Sequence, residues 1–119
     1  MAIPVPPLHF GRDTQGYCSY APDPSTVKYA ATLTAGLPAS VVVPSTFAVW
    51  VVSFRYYPND VWVDTSGVAA IIPAGATLAA TTSELNPASL TLLAGTNISM
   101  ITALATADVS VVMWPVSYP

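Results

Sequence analysis

The sequence predicts an all-β fold, an antiparallel β-sandwich or jelly roll of about eight short strands with an extended proline-rich N-terminal arm. Three observations lead there. Thr46 to Tyr57, TFAVWVVSFRYY, is one unbroken run of Val, Phe, Trp, Tyr, Thr and their neighbours, the residue types that pack on a pleated, half-buried surface. From Thr26 onward short apolar runs alternate with turn signals roughly every 8 to 12 residues, the rhythm of a sandwich. Asn97 to Leu104 places Ile98, Met100, Thr102 and Leu104 on one face, the alternation of a half-buried strand.

Taken in order, residues 1–25 hold Pro4, Pro6, Pro7, Pro22 and Pro24. Proline fixes φ and removes a backbone donor, so this segment is an extended arm and not a helix. It still carries Ile3, Val5, Leu8, Phe10, Tyr17 and Tyr20. Apolar side chains of that size need cover, which an arm finds on its own domain or on a neighbour. Residues 26–119 form the sandwich. Its expected strands are Thr26–Thr34, Ser40–Val43, Thr46–Tyr57, Val61–Val63, Val68–Ile72, a weak Leu78–Thr82, Ser89–Leu93, Asn97–Leu104 and Asp108–Tyr118. Tyr57-Pro58-Asn59-Asp60 has strong turn chemistry and predicts a hairpin between the long strand and Val61–Val63. Ser83-Glu84-Leu85-Asn86-Pro87 reads as a loop. Thr34-Ala35-Gly36, Pro73-Ala74-Gly75 and Leu93-Ala94-Gly95 read as recurrent hairpin turns, with glycine supplying a positive φ.

The long strand is unequal along its length. Ala48, Trp50, Val52, Phe54 and Tyr56 make one apolar face. The other face carries Phe47, Val49 and Val51, then turns polar at Ser53 and Arg55. An end that is apolar on both faces is covered twice, once by the opposing sheet and once by another chain. Partner contacts are therefore expected at Phe47, Val49 and Val51, and along the arm at Ile3, Val5, Leu8 and Phe10.

Composition narrows the function. Of the 119 residues 53% are apolar and only 8% charged, with three basic side chains and a net charge of −3; ordinary soluble domains carry about 25% charged residues. No basic stripe is available to neutralise phosphates, so direct nucleic-acid binding is not expected. The charge-free stretches 29–54, 65–83 and 85–107 are broken by proline and glycine and lack flanking Lys/Arg, so no membrane span is expected. The start lacks the basic and continuous apolar regions of a secretory signal. Cys18 is the single cysteine, which rules out an intrachain disulfide and suits folding in a cytoplasm.

Chemistry is scarce. His9, the lone histidine, sits in the arm, where nothing fixes the geometry that general-base work needs. Neither Cys18 nor any serine lies in a nucleophile motif. Asp60 and Asp64 flank Val61-Trp62-Val63 with Asn59 nearby, yet carboxylates at the ends of a short strand are more often turn chemistry than a calcium site. No enzyme activity, metal or cofactor is expected. Tyr56, Tyr57 and Trp62 form the alternative: on paired strands they would make an aromatic glycan-binding platform. The main expectation is self-association. Charge keeps solitary domains apart, and a surface rich in Thr, Ser and Ala resembles the charge-depleted core of an interface. A symmetric oligomer is the simplest outcome.

The second half reads Ile72-Pro73-Ala74-Gly75, Ser83-Glu84-Leu85-Asn86-Pro87, Leu93-Ala94-Gly95-Thr96-Asn97-Ile98-Ser99-Met100 and Ala107-Asp108-Val109-Ser110-Val111. In this phrasing residues 68–114 resemble small virion proteins of tailed double-stranded DNA bacteriophages, cement or decoration proteins and fibre β-sandwich modules. The resemblance rests on strand-and-turn style without an invariant motif. It implies a non-enzymatic capsid cement or decoration protein, often trimeric, clamped between major capsid protein subunits, with the arm as the clasp. The corresponding location is the virion, after synthesis in the host cytoplasm. The fibre resemblance implies instead a receptor- or glycan-binding module of a tail or head fibre.

Overall fold

The computed structural model describes residues 27–116, together with the backbone of two short arm strands, β1 (Phe10–Arg12) and β2 (Cys18–Pro22). The body contains β3 (Val27–Thr34), β4 (Ala39–Val42), β5 (Val49–Tyr57) and β6 (Trp62–Asp64). It continues with β7 (Ser83–Leu85), β8 (Ser89–Leu93), β9 (Asn97–Ile101) and β10 (Thr106–Pro115). They form two antiparallel four-stranded sheets, ordered β3-β10-β5-β8 and β4-β9-β6-β7. The all-β sandwich expected from the sequence is therefore present.

The pairings show how the chain reaches this order. β3 pairs with β10, β4 with β9, β5 with β8 and β6 with β7. First meets last, and each inner strand meets its counterpart, as in one long antiparallel ribbon. Rolling that ribbon adds β10 beside β5 and β6 beside β9. This is the winding of an eight-stranded jelly roll. The arm strands β1 and β2 pair with each other in a separate two-stranded sheet.

Alternation builds the core. Trp50, Val52 and Phe54 of β5 face inward with Val109, Val111 and Met113 of β10, against Val63 of β6 and Ile98 and Met100 of β9. Trp50, Val52, Ile98 and Met113 have no exposed surface. Phe54 and Tyr56 stack with ring centroids 6.2 Å apart.

Several local expectations are corrected. β5 and β6 lie in different sheets and do not form a hairpin. Both edges of β5 are occupied, by β10 and β8, so the chain leaves that sheet through the cis Tyr57–Pro58 peptide. The turns at residues 34–36 and 93–95 likewise carry the chain from one sheet to the other, from β3 to β4 and from β8 to β9. They are corners of the roll and not hairpins. Their glycines do take positive φ, +74° at Gly36 and +82° at Gly95. Gly95 N–H donates to Val43 O at 3.0 Å, which ties this corner to the facing sheet. An L side chain costs about 1–2 kcal/mol in that conformation. Gly95→Ala is expected to lose that much stability in urea titration, and an unchanged midpoint would contradict the corner's dependence on glycine.

Residues 68–72 and 78–82 are not strands, whereas 83–85 is. The long connection from β6 to β7 crosses the outer face of the second sheet, so its backbone donors go to side chains below it. β7 pairs Ser83 with Asp64, Glu84 with Val63 and Leu85 with Trp62. Asn86 ends it at φ +46°. Among the described residues no helix is long and apolar enough to cross a membrane.

Candidate functional site

The outer face of the first sheet carries Val49 and Val51 at one end of the long strand and Ser53 and Arg55 further along it. Val49, Val51, Ser53, Arg55 and Tyr57 alternate with the core residues and point outward. Register places Trp114 and Thr91 on either side of Val51, Val112 beside Ser53, and Leu93 beside Val49. Val49, Val51, Val112 and Trp114 are half-buried, while Leu93 is 65% exposed. They form one apolar strip at one end of the sheet. The other end is polar: Tyr57 stands opposite Asp108, Arg55 opposite Ser110. Thr32 Oγ1 donates to Asp108 Oδ1 at 2.7 Å there.

Phe47 does not share this strip. It precedes β5, so strand alternation does not govern it. Its ring meets Trp50 edge-on at 5.9 Å and 80°, packed against the core. Ile3, Val5 and Leu8 lie outside the described residues, as do the side chain of Phe10 and the whole of His9. Sequence reasoning missed Val112, Trp114 and Leu93 as members of the strip, because cross-strand register joins them and no local pattern encodes it.

The outer face of the second sheet has a different cover. Asp64 points outward from β6 yet is fully buried beneath residues 65–82. Its Oδ1 accepts from Ser66 N–H at 2.8 Å and from Ser66 Oγ at 2.6 Å. Its Oδ2 accepts from Thr82 Oγ1 at 2.5 Å and from Ser83 Oγ at 3.3 Å. Ser83 Oγ in turn accepts from Ile71 N–H, and Ser99 Oγ accepts from Ala70 N–H. Burial alone would raise the Asp64 pKa, but these hydrogen bonds outweigh it and hold the carboxyl below its usual value. The crossing segment is thus pinned by a row of Ser99, Asp64 and Ser83, and it exposes Val68, Ile71 and Leu78 on its far side.

The three aromatic candidates occupy three different surroundings. Tyr57 is 74% exposed on the outer face of the first sheet. Tyr56 points into the sandwich, and its hydroxyl donates to Pro87 O at 2.8 Å. Burial, and then the Glu84 carboxylate, push that hydroxyl's pKa well above the tyrosine range. Trp62 lies half-buried on the outer face of the second sheet, between Ile101 and Leu85. They form no common platform. Asp60 is likewise apart from Asp64: its Oδ1 accepts from Asn86 Nδ2 at 2.9 Å, and Asn86 Oδ1 accepts from Val61 N–H. Among the described residues no group of three His, Cys, Asp or Glu side chains is placed to hold a metal ion.

The site is therefore a set of apolar surfaces on a jelly roll. No family model, curated protein or solved structure matches this chain.

Proposed function

We propose that this chain is a non-enzymatic virion structural protein, a cement or decoration subunit of a tailed-phage head. In this reading it is a homo-oligomer, with a trimer favoured, and it binds between major capsid protein subunits. The observation that carries the proposal is the apolar strip of Val49, Val51, Val112 and Leu93 on the outside of the jelly roll. A chain with 8% charged residues has little charge to hold copies apart. At about 25 cal/mol per Å², a few hundred Å² of extra apolar contact per copy adds several kcal/mol to a shell. Jelly rolls also build capsid domains, which is support by analogy of fold.

Val51→Asp tests it, since an outward-facing position tolerates charge without disturbing the core. The variant is expected to fold cooperatively and to lose at least tenfold in binding to assembled phage heads by co-sedimentation. Undiminished binding would overturn the proposal. A second reading, glycan binding, keeps only Tyr57, whose exposed ring shares a shallow groove with Arg55 and Asp108. Tyr57→Ala then abolishes signal on a glycan array, and an array on which the intact protein is silent removes this reading.

A further inference from the structure

We infer that the open side of the roll, between β3 and β4, receives residues 3–6 of a second copy as an added strand. The inference rests on the proposed homo-oligomer and names where its copies join.

β3 and β4 each end their sheet on the same side of the sandwich, and among the described strands neither has a neighbour beyond it. Between them lies an apolar cleft of about 190 Å³. Tyr29, Ala31, Val41, Ile98, Met100 and Val111 line it, with no charged side chain. Cross-strand register places Ala31 on the face of Val109 and Ala39 on the face of Met100, so both alanines point into the sandwich. Both are nevertheless exposed. Among the described residues nothing covers the interior here, because the two edge strands carry methyl groups at Ala31 and Ala39 where larger side chains would close it. An apolar cavity of roughly 150 Å³ takes a benzene ring, so this one has room for a branched aliphatic side chain. A long, nearly uncharged edge such as β3 is also a template for strand addition, which proteins seldom leave uncovered.

The arm has the matching chemistry. In an extended Ile3-Pro4-Val5-Pro6 the backbone groups of Ile3 and Val5 point to one edge, and those of Pro4 and Pro6 to the other. The proline edge has no N–H to donate, so this strand pairs on one side and ends the sheet it joins. Ile3 and Val5 also share one side-chain face, uncharged and branched like the cleft lining. Residues 1–8 contain no charged side chain.

A second copy is favoured over the chain's own arm because of what lies between. The β1–β2 hairpin separates residues 3–6 from β3, and it pairs with neither sheet of its own sandwich. A lone two-stranded hairpin is marginal in water and needs a further surface. Arm exchange supplies one, and a head-to-tail contact of this kind closes into a ring when the rotation permits.

The test removes the native thiol with Cys18→Ser and pairs Val5→Cys with Ala31→Cys, and separately with Tyr29→Cys. Val5→Cys with Tyr57→Cys, on the outer face, is the control. Under mild oxidant the cleft pairs are expected to give interchain disulfide-linked species at least tenfold above the control. Val5→Asp, in a background free of added cysteines, is expected to reduce the mass in light scattering to that of a monomer. Intrachain linkage alone, no linkage above control, or an unchanged mass for Val5→Asp would each overturn the inference. The shell-binding assay with Val51→Asp is independent of these results, so arm exchange and capsid attachment can fail separately.

Discussion

Trp50→Ala is expected to cost about 3–5 kcal/mol, the range for emptying a large aromatic site in a packed core. Trp50 has no exposed surface and stands near the start of β5, an inner strand of the first sheet, with Pro115 across one edge and Leu92 across the other. Its ring also holds the chain entering β5. Nε1 donates to Phe47 O at 3.0 Å, and the Phe47 ring meets it in a near-perpendicular contact. Two losses therefore combine, a cavity and the hydrogen bond to a partly buried carbonyl. Trp50→Phe keeps most of the packing but removes the N–H together with part of the bicyclic ring, and about 1–2 kcal/mol is expected. Guanidinium titration of both variants measures the difference. Equal losses for Phe and Ala would show that the hydrogen bond, and not the packing, dominates. Val49 and Val51 flank Trp50 on the opposite face, so if the proposed shell contact exists, the alanine variant should also weaken it, through the strand that presents them.

The fold class was legible because it depends on local properties. β-branched and aromatic runs, their period-two alternation and the turn residues between them are all short-range signals. The inward face of β5 follows from its alternation, and so does the apolar excess at Val49 and Val51. Strand pairing was not legible. Pro58-Asn59 has the chemistry of a hairpin turn, but whether two strands pair depends on which edges other strands already occupy. The glycine turns misled for the same reason: positive φ is a local fact, whereas a hairpin and a corner differ only in what lies across the sandwich. Val68–Ile72 has strand composition and becomes a cover, because its donors meet the Ser99 and Ser83 hydroxyls before any strand. Ser83–Leu85, read as loop for its Ser, Asn and Pro, pairs with β6 because Asp64 anchors its first residue. The glycan alternative failed as a platform for a related reason. Adjacent residues in a strand face opposite ways, so Tyr56 and Tyr57 could not share a face, and Trp62 belongs to the other sheet.

These surfaces have a common physical basis in how the roll is closed. Closure hides the inner faces and leaves the outer faces and one open side to carry any apolar excess. The first sheet keeps its excess as a strip, the second presents Val68, Ile71 and Leu78 through a crossing segment, and the side between β3 and β4 keeps a cleft. Under the proposed reading as an assembly subunit, these three differently oriented apolar surfaces are the candidate contact directions.

Asp64→Ala is expected to cost about 3 kcal/mol or more, and to release the segment that forms the second of those surfaces. The carboxylate is the only charge in the polar row, and four donor contacts converge on it from Ser66, Thr82 and Ser83. Hydrogen bonds to a charged group contribute about 1.5–3 kcal/mol each when buried, and a donor left without a partner costs about 1–3. Hydroxyls can rotate toward water, but the Ser66 N–H is fixed by the backbone. The pH dependence gives the sharper test. The folded pKa lies below the ordinary value of 3.8, so near and below 3.8 the unfolded chain binds more protons than the folded one. Stability therefore rises with pH through that window, is fully present above it, and is lost as pH falls through the folded pKa. Asp64→Asn keeps the shape and cannot titrate. In urea titrations from pH 7 down to pH 2, the gap between wild type and Asp64→Asn is expected to narrow as the carboxyl protonates. Hydrogen exchange should show the backbone amides of Ser66, Ala70 and Ile71 losing protection over the same range. A gap of constant size across that range would mean that the charge on Asp64 does not hold the segment down.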